Sequence, residues 1–407
     1  MPKGKKTTQK AIERPAAFGP DLDIESFSRE ASPWPSCPVT SLPGDIAKRA
    51  MSAGVRTDEV DRAGTYFQID RSTVFKAMRK TFVGKAEIIS TKDALKKYRW
   101  ARNYWWKLID ANMDKYTALA NLRWDQGYFI RVLKDQKIEL PLQACMFISR
   151  ENFNQNVHNL IIAEPGSEAQ IITGCAVHPN IQSGLHVGIS EFYVKKDAKL
   201  TFTMIHNWAQ NFHVRPRSAA LLADGATFVS NYVCMKSVKS LQMYPVAYCK
   251  GANSRVSFNT ILHGSKNSDL DVGSKVVLKG KGSRGEVIAR AIAAGNARIK
   301  ARGLLVGENK DSRAHLECRG LLLSDQASIH AIPELVGKVE GTELSHEAAV
   351  GKIAEDQIQY LMARGFSESE AESLIIRGFM DVGTFGLPDA LREEIKRMVD
   401  TSIAGAL

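Results

Sequence analysis

The sequence predicts a mainly β protein, a parallel or mixed β-helix core flanked by a mixed, partly helical N-terminal domain and a helical C-terminal domain. Three observations carry this. Short β-type runs follow one another from Ile138 to about 340 with no long helix between them. That excludes a doubly wound α/β sheet, whose parallel strands need helical crossovers. Turn signals recur at Ala169, Ala198, Ala226, Ser254, Ser283, Ala297 and Ala327, in steps of 29, 28, 28, 29, 14 and 30 residues. A steady period of this size marks stacked coils. Beyond about 341 the apolar spacing becomes helical.

Residues 1–45 carry six prolines from Pro15 to Pro43, and Lys3, Lys5, Lys6, Lys10 and Arg14 against Glu13. They read as an irregular basic arm, a solvated tail with some pull on acidic partners. Residues 46–137 read as a mixed domain. Within it Leu95, Tyr98, Trp100, Tyr104, Trp105 and Leu108 predict an aromatic packing face on a helix over 94–112.

Residues 138–340 form the coil, with runs such as Leu200-Thr-Phe-Thr-Met-Ile and Val256-Ser-Phe-Asn-Thr-Ile-Leu. Residues 341–407 read as a helical bundle. Ile353, Ile358, Leu361 and Met362 line one helix that ends at Gly365. Ser367 and Glu370 have capping-box spacing before a second, and Pro388 opens a third with Leu391, Ile395 and Met398.

The 407 residues hold 44% hydrophobic and 24% charged side chains and a net charge of +11, within the range of globular proteins. No 18-residue apolar run and no secretory signal are present, so a cytoplasmic protein with free thiols is expected. The +11 comes without a recognition-helix, zinc-finger or RNA-binding motif, and nucleic acid is not an expected partner.

The six cysteines, Cys37, Cys145, Cys175, Cys234, Cys249 and Cys318, contain no C-x-x-C pair. Each is by default a small buried hydrophobe. In Ala314-His-Leu-Glu-Cys-Arg-Gly-Leu-Leu-Leu, strand alternation places Cys318 with Leu316 and Leu322. His346 and Glu347 are adjacent, so on a strand they point to opposite faces, and one metal would reach only one of them. Asp269 and Asp271 share a face, but no further carboxylates join them. A carbohydrate-active β-helix enzyme, which needs converging carboxylates, is therefore poorly supported.

The segment Glu343-Leu-Ser-His-Glu-Ala-Ala-Val-Gly-Lys-Ile-Ala-Glu-Asp-Gln-Ile-Gln-Tyr-Leu-Met-Ala-Arg-Gly-Phe-Ser-Glu-Ser-Glu-Ala resembles the C-terminal signature of the SufB/SufD family, scaffold proteins of iron–sulfur cluster assembly. Glu139-Leu-Pro-Leu-Gln, Glu151-Asn, Leu160-Ile-Ile, Thr173-Gly-Cys175 and Asn207-Trp208 match in order, so the likeness covers about 138–380. Cys318, 28 residues before His346, stands where SufB carries its assembly-site cysteine and SufD usually does not.

The resemblance therefore implies a SufB-like scaffold, not an enzyme, in the manner of a minimal two-component system. It implies that Cys318, His346 and Glu347 hold iron of a transient [2Fe-2S] or [4Fe-4S] cluster. It implies a sulfur acceptor or relay at Cys175, with His206, Trp208 and Arg217. Its partners would be a SufC-like ABC ATPase on residues 350–380, a second like chain on the β-helix giving a homodimer, a sulfur donor and apo-protein acceptors. The chain has no G-x-x-x-x-G-K-[ST] loop, so ATP would act only through the ATPase. Departures are His206 for the family's Gln, Phe147 and Ser149 at polar positions, and Ser345 for the acid before the His-Glu pair. The alternative is a SufD-like structural subunit without its own cluster.

Overall fold

The computed structural model describes residues 8–234 and 236–380. The N-terminal region contributes helix α1 (Gly44–Met51), strands β1 (Gly64–Ile69), β2 (Ser72–Met78) and β3 (Ala86–Ser90), helices α2 (Thr91–Lys97) and α3 (Lys115–Leu122), and β4 (Tyr128–Val132). The coil continues through β5 (Leu142–Ile148), β6 (Phe153–Ala163), β7 (Glu168–Val177), β8 (Ser183–Val194), β9 (Lys199–Asn207), β10 (Asn211–Val214), β11 (Arg217–Leu222) and β12 (Thr227–Cys234). It then runs through β13 (Ser240–Met243), β14 (Val246–Cys249), β15 (Arg255–Gly264), β16 (Asp269–Leu278), β17 (Arg284–Ala293), β18 (Arg298–Gly307), β19 (Arg313–Leu322), β20 (Ser328–Gly337) and β21 (Glu343–Lys352). Helices α4 (Glu355–Met362) and α5 (Glu368–Phe379) follow.

Alternate strands fall into two facing sheets. The first runs β2-β1-β5-β7-β9-β12-β15-β17-β19-β21, and the second joins β3, β4, β6 and β8 through β10/β11 and β13/β14 to β16, β18 and β20. Pairing along the coil is parallel and in register, and among the described residues only the β1–β2 and β3–β4 pairs are antiparallel. One coil of 28–30 residues thus supplies one strand to each sheet. The sequence step of 14 is the passage from signals before first-sheet strands to signals before second-sheet strands, Ala297 standing before β18.

The turns repeat a backbone device. Asp197 (φ 56°), Gly225 (φ 65°), Asn253 (φ 55°) and Gly282 (φ 66°) occupy the left-handed region in successive coils. Glycine and Asn/Asp adopt it most readily. The two types alternate because they share space. A Cβ on Gly225 would lie 2.0 Å from Asp197 Oδ1, and one on Gly282 2.5 Å from Asn253 Oδ1.

The middle of the interior between the sheets is apolar, with Phe192, Phe202, Phe228 and Phe258 in contact coil upon coil. A second cluster lies outside the first sheet, where Ile205, Val233, Ile261, Ile292 and Leu321 pack with Ile376 of α5 and Met380. The Ser367–Glu370 capping box starts α5 as the sequence indicates, and Gly365 (φ 97°) breaks the chain between α4 and α5. The expected third helix, at Pro388–Met398, lies outside the described residues.

Three boundaries differ from the sequence reading. The coil does not stop at 340: Glu343–Lys352 pairs along its whole length with β19, and α4 begins only at Glu355. The backbone groups on the free edge of β19 reward pairing over an earlier helix start. The region 46–137 is not detached from the coil, because β1 and β4 extend the two sheets. Its antiparallel strands β2 and β3 close that end.

The helix expected over 94–112 is also cut short. It ends at Lys97 and a 3-10 turn spans Arg99–Asn103. The backbone N–H groups of Trp106, Lys107 and Leu108, which a helix would use internally, donate instead to the buried Glu191 carboxylate at 2.7, 2.7 and 2.6 Å. The aromatic residues do form a packing face, wrapped over Phe129, Leu160, Ile162 and Tyr193.

Candidate functional site

Cys318 lies in β19, the last strand but one of the first sheet. Its inward neighbours are Leu316 and Gly320, as alternation requires, and it is 2% exposed. Register places Leu316 beside His346 and Cys318 beside Ala348. His346 is therefore the diagonal neighbour of the thiol on the same inward row.

That row is the last of the described coil. Leu344, His346, Ala348 and Val350 of β21 face inward with no described coil stacked on them, and His346, Ala348 and Val350 are exposed. Burial, then the adjacent Glu317 carboxylate, push the Cys318 thiol up to about 11. At neutral pH it is a thiol, and an iron ion would have to displace its proton.

Glu347 does not share that row. It faces outward, in register with Glu317. His315, Glu317 and Glu347 bring their ligand atoms within 4.8 Å of one another. Arg319 reaches both carboxylates, at 3.0 Å to Glu317 and 3.4 Å to Glu347. The structure thus divides the three assembly-site residues. Cys318 and His346 converge on one face of the sheet, and Glu347 joins a different group on the other.

Cys175 sits in β7 at the other end of the interior. Register carries its row through His206, Cys234, Leu262 and Ala291 to Gly320. Five strand steps separate the strands of Cys175 and Cys318, about 24 Å at the parallel spacing.

Around Cys175 the interior is polar. His206 Nδ1 and Tyr232 Oη are 2.7 Å apart. His186 Nδ1 meets Gln155 at 3.0 Å. Trp208 lies 4.9 Å from His186 and stacks on Phe212 at 5.1 Å. His206 Nε2 and Trp208 Nε1 are buried with no hydrogen-bond partner among the described residues. Burial holds His206 well below its ordinary value, with His186 adding to the effect, so the imidazole is neutral. Burial also raises Cys175, and lifts Cys234 to about 12. Between this group and Cys318 lies a cavity of about 30 Å³ bounded by Phe202, Met204, Phe228, Tyr232, Phe258 and Thr260. It has room for a water-sized species.

Arg217 does not belong to this interior. It faces outward, pairs with Asp114 at 2.9 Å and donates to Gln242 at 2.5 Å. Asp114 is the N-cap of α3, so the arginine clamps that helix to the second sheet. Alternation is the reason: Ala220 and Leu222 of the same strand face the core, while Arg217 and Ala219 point to α3.

The sequence reading passed over His315, Glu317 and Tyr232, and took Cys234 only as a buried thiol, which it is. One signal could have found the first two. Each stands 30 residues before a β21 residue, Ser345 or Glu347, and 30 is the local period.

The family model described as SUF system FeS cluster assembly, SufBD core domain matches residues 146–379. Three similar proteins are described as iron–sulfur cluster assembly SufBD family proteins. One, from Methanothermobacter thermautotrophicus, is 46% identical over 406 residues, covering 98% of each chain. One from Archaeoglobus fulgidus is 45% identical over 353 residues, covering 87% of this chain and 94% of the relative. One from Staphylococcus epidermidis is 30% identical over 377 residues, covering 90% and 80%. With the two-sheet coil, the inward Cys318–His346 row and these likenesses in hand, the chain belongs to the SufBD family of iron–sulfur cluster assembly proteins.

Proposed function

We propose that this chain is a scaffold on which an iron–sulfur cluster is assembled and then passed to apo-proteins, with Cys318 and His346 as its ligands. One observation carries the reading: a thiol and an imidazole share the inward row at the unstacked end of the coil. Thiolate sulfur and imidazole nitrogen are suitable iron ligands. A ligand set at an open end can load and release.

The same end supports pairing with a second copy. Among the described residues, β20 and β21 leave both sheets with a free parallel edge, which offers unpaired backbone groups. Leu335, Val336 and Val350 there are 36, 41 and 41% exposed. A partner ATPase of the ABC type fits helices α4 and α5, where Tyr360, Met362, Phe366 and Leu374 are exposed. Exposed apolar residues in such number are a feature of docking surfaces.

The test is anaerobic reconstitution with iron and sulfide, comparing the wild type with Cys318→Ala by absorption and Mössbauer spectra. The scaffold reading expects a cluster in the wild type that the variant loses. An equal signal in both, or none in either with the ATPase present, overturns it. One observation favours a second reading, a structural subunit without its own cluster: Cys318 is closed in and protonated. Absence of a cluster in both proteins would support that role.

A further inference from the structure

We propose that the outer face of the last two coils carries a divalent-cation site of its own, built from His315, Glu317 and Glu347 and latched by Arg319. The scaffold reading enters only in naming ferrous iron as the natural ion. The site itself needs neither Cys318 nor His346.

The argument begins with register. Glu317 and Glu347 stand directly opposite each other on neighbouring strands. Like charges in that relation repel. Their charge of −2 is met by one guanidinium. Arg319 touches each carboxylate through a single nitrogen, at 3.0 and 3.4 Å, rather than in the two-pronged geometry that makes an arginine pair strong.

The third ligand is an imidazole rather than another acid. His315 Nδ1 is 2.9 Å from Ser345 Oγ. That contact holds one ring nitrogen, and an ion would take the other, the usual outer support of a metal-binding histidine. All three ligand atoms lie within 4.8 Å of one another. An ion held at ~2.1 Å from each needs ligand atoms no more than about 4.2 Å apart, so the side chains would draw in by a few tenths of an ångström to close on it. One nitrogen and two carboxylates, with open positions, suit Fe²⁺, Mn²⁺ or Zn²⁺ rather than a thiophilic ion.

Arg319 makes the site conditional. Its side chain is 44% exposed, so it can swing into solvent at small cost, as weak surface pairs do. A cation and the guanidinium compete for the same oxygens. The ion would then sit on the opposite face of β19 from Cys318, with only β21 between it and the open edge.

The test uses Mn²⁺ alone, read by electron paramagnetic resonance and calorimetry on the full chain. Wild type and Cys318→Ala are expected to bind one ion per chain with the same affinity. His315→Ala and Glu347→Gln should each weaken binding at least tenfold. Arg319→Ala should tighten it, because a competitor is gone; a merely structural cluster gives no such gain. His315, Arg319 and Glu347 are partly or fully exposed, so folding of their variants is checked by circular dichroism and is not expected to change; Cys318→Ala, at a buried position, is checked in the same way. No Mn²⁺ uptake by the wild type overturns the proposal, and so does equal uptake by wild type, His315→Ala and Glu347→Gln. Loss of binding in Cys318→Ala would show that the ion sits at the thiol instead. Because Cys318→Ala is the variant that abolishes the cluster, failure of the scaffold reading and failure of this site give different results.

Discussion

The acidity of Cys318 gives the sharpest quantitative test. An ordinary thiol titrates near 9.0, whereas burial and Glu317 bring this one to about 11. At pH 8 about one molecule in a thousand then carries the thiolate, against about one in eleven for the ordinary value. Alkylation by iodoacetamide, which takes the thiolate, should therefore run about 100-fold slower from the acidity alone. Steric cover slows it further but by a factor that does not change with pH. The profile separates the two. On the apo-protein, followed by peptide mass spectrometry, the rate at Cys318 should climb about tenfold per pH unit from 7 to 10 without levelling. Glu317→Gln removes a neighbouring negative charge, favours the thiolate and should raise the rate at pH 8. A plateau near pH 9 in the wild type would refute the reasoning. So would a Glu317→Gln variant slower than wild type.

Three further outcomes follow from the packing. Glu191→Gln turns an NH₂ group toward the Trp106 N–H, leaving a buried donor unpaired, and should cost about 1–3 kcal/mol in urea melts; no change would mean the strap at 106–108 is not held by that carboxylate. Arg217→Ala leaves Asp114 buried without its partner and should cost about 3–5 kcal/mol. Reconstitution of the folded variant with inorganic sulfide should be normal, since the arginine is outside the coil. Stability should also fall in base. Cys234, Cys249 and Cys318 have folded values raised to about 12, 12 and 11. Their contribution is complete below about pH 9 and is lost as pH rises through 11–12. The Cys318 share is about 3 kcal/mol at most, so Cys318→Ala should flatten the decline, and an unchanged slope would contradict the assignment.

The coil was legible because each turn needs a residue that tolerates a left-handed or tightly packed backbone, and these fall once per period. The split between His346 and Glu347 was legible too, because alternation needs only two neighbouring letters. What could not be read depends on residues far apart. The helix predicted over 94–112 fails because Glu191, more than 80 residues on, takes the N–H groups it would use. The pairing of Glu317 with Glu347 is an intermediate case: the local 30-residue step points to it, but the steps of 28 to 30 elsewhere leave the register open by a residue or two until the strands are seen paired. Arg217 shows the limit of family likeness. The resemblance implies a place beside a sulfur relay for it, while its parity along β11 sends the side chain to α3.

The spacing of the thiols constrains how sulfur could reach Cys318. A persulfide lengthens a cysteine by about 2 Å, against a separation of about 24 Å. Among the described residues, the inward thiols between them are Cys234, on the same sheet, and Cys249, on the facing one. Cys234 stands two strand steps from Cys175 and three from Cys318, gaps of about 10 and 14 Å. Thiols held on strands at those intervals cannot hand a sulfur atom from one to the next. Two possibilities are left. Either a thiol reductant releases hydrosulfide from a Cys175 persulfide, becoming a disulfide as it gives up two electrons, and the hydrosulfide crosses the interior through a space such as the cavity at Tyr232 and Thr260, or a donor delivers sulfur to Cys318 at the open end. A Cys175→Ser variant distinguishes them. If the interior is the route, the variant should fail to build a cluster with a persulfide-donating protein and still succeed with inorganic sulfide at the open end. Equal assembly from both sources would remove Cys175 from the path and leave delivery at Cys318. Failure with both would mean that the substitution damages the coil rather than the route, which a thermal melt would show directly.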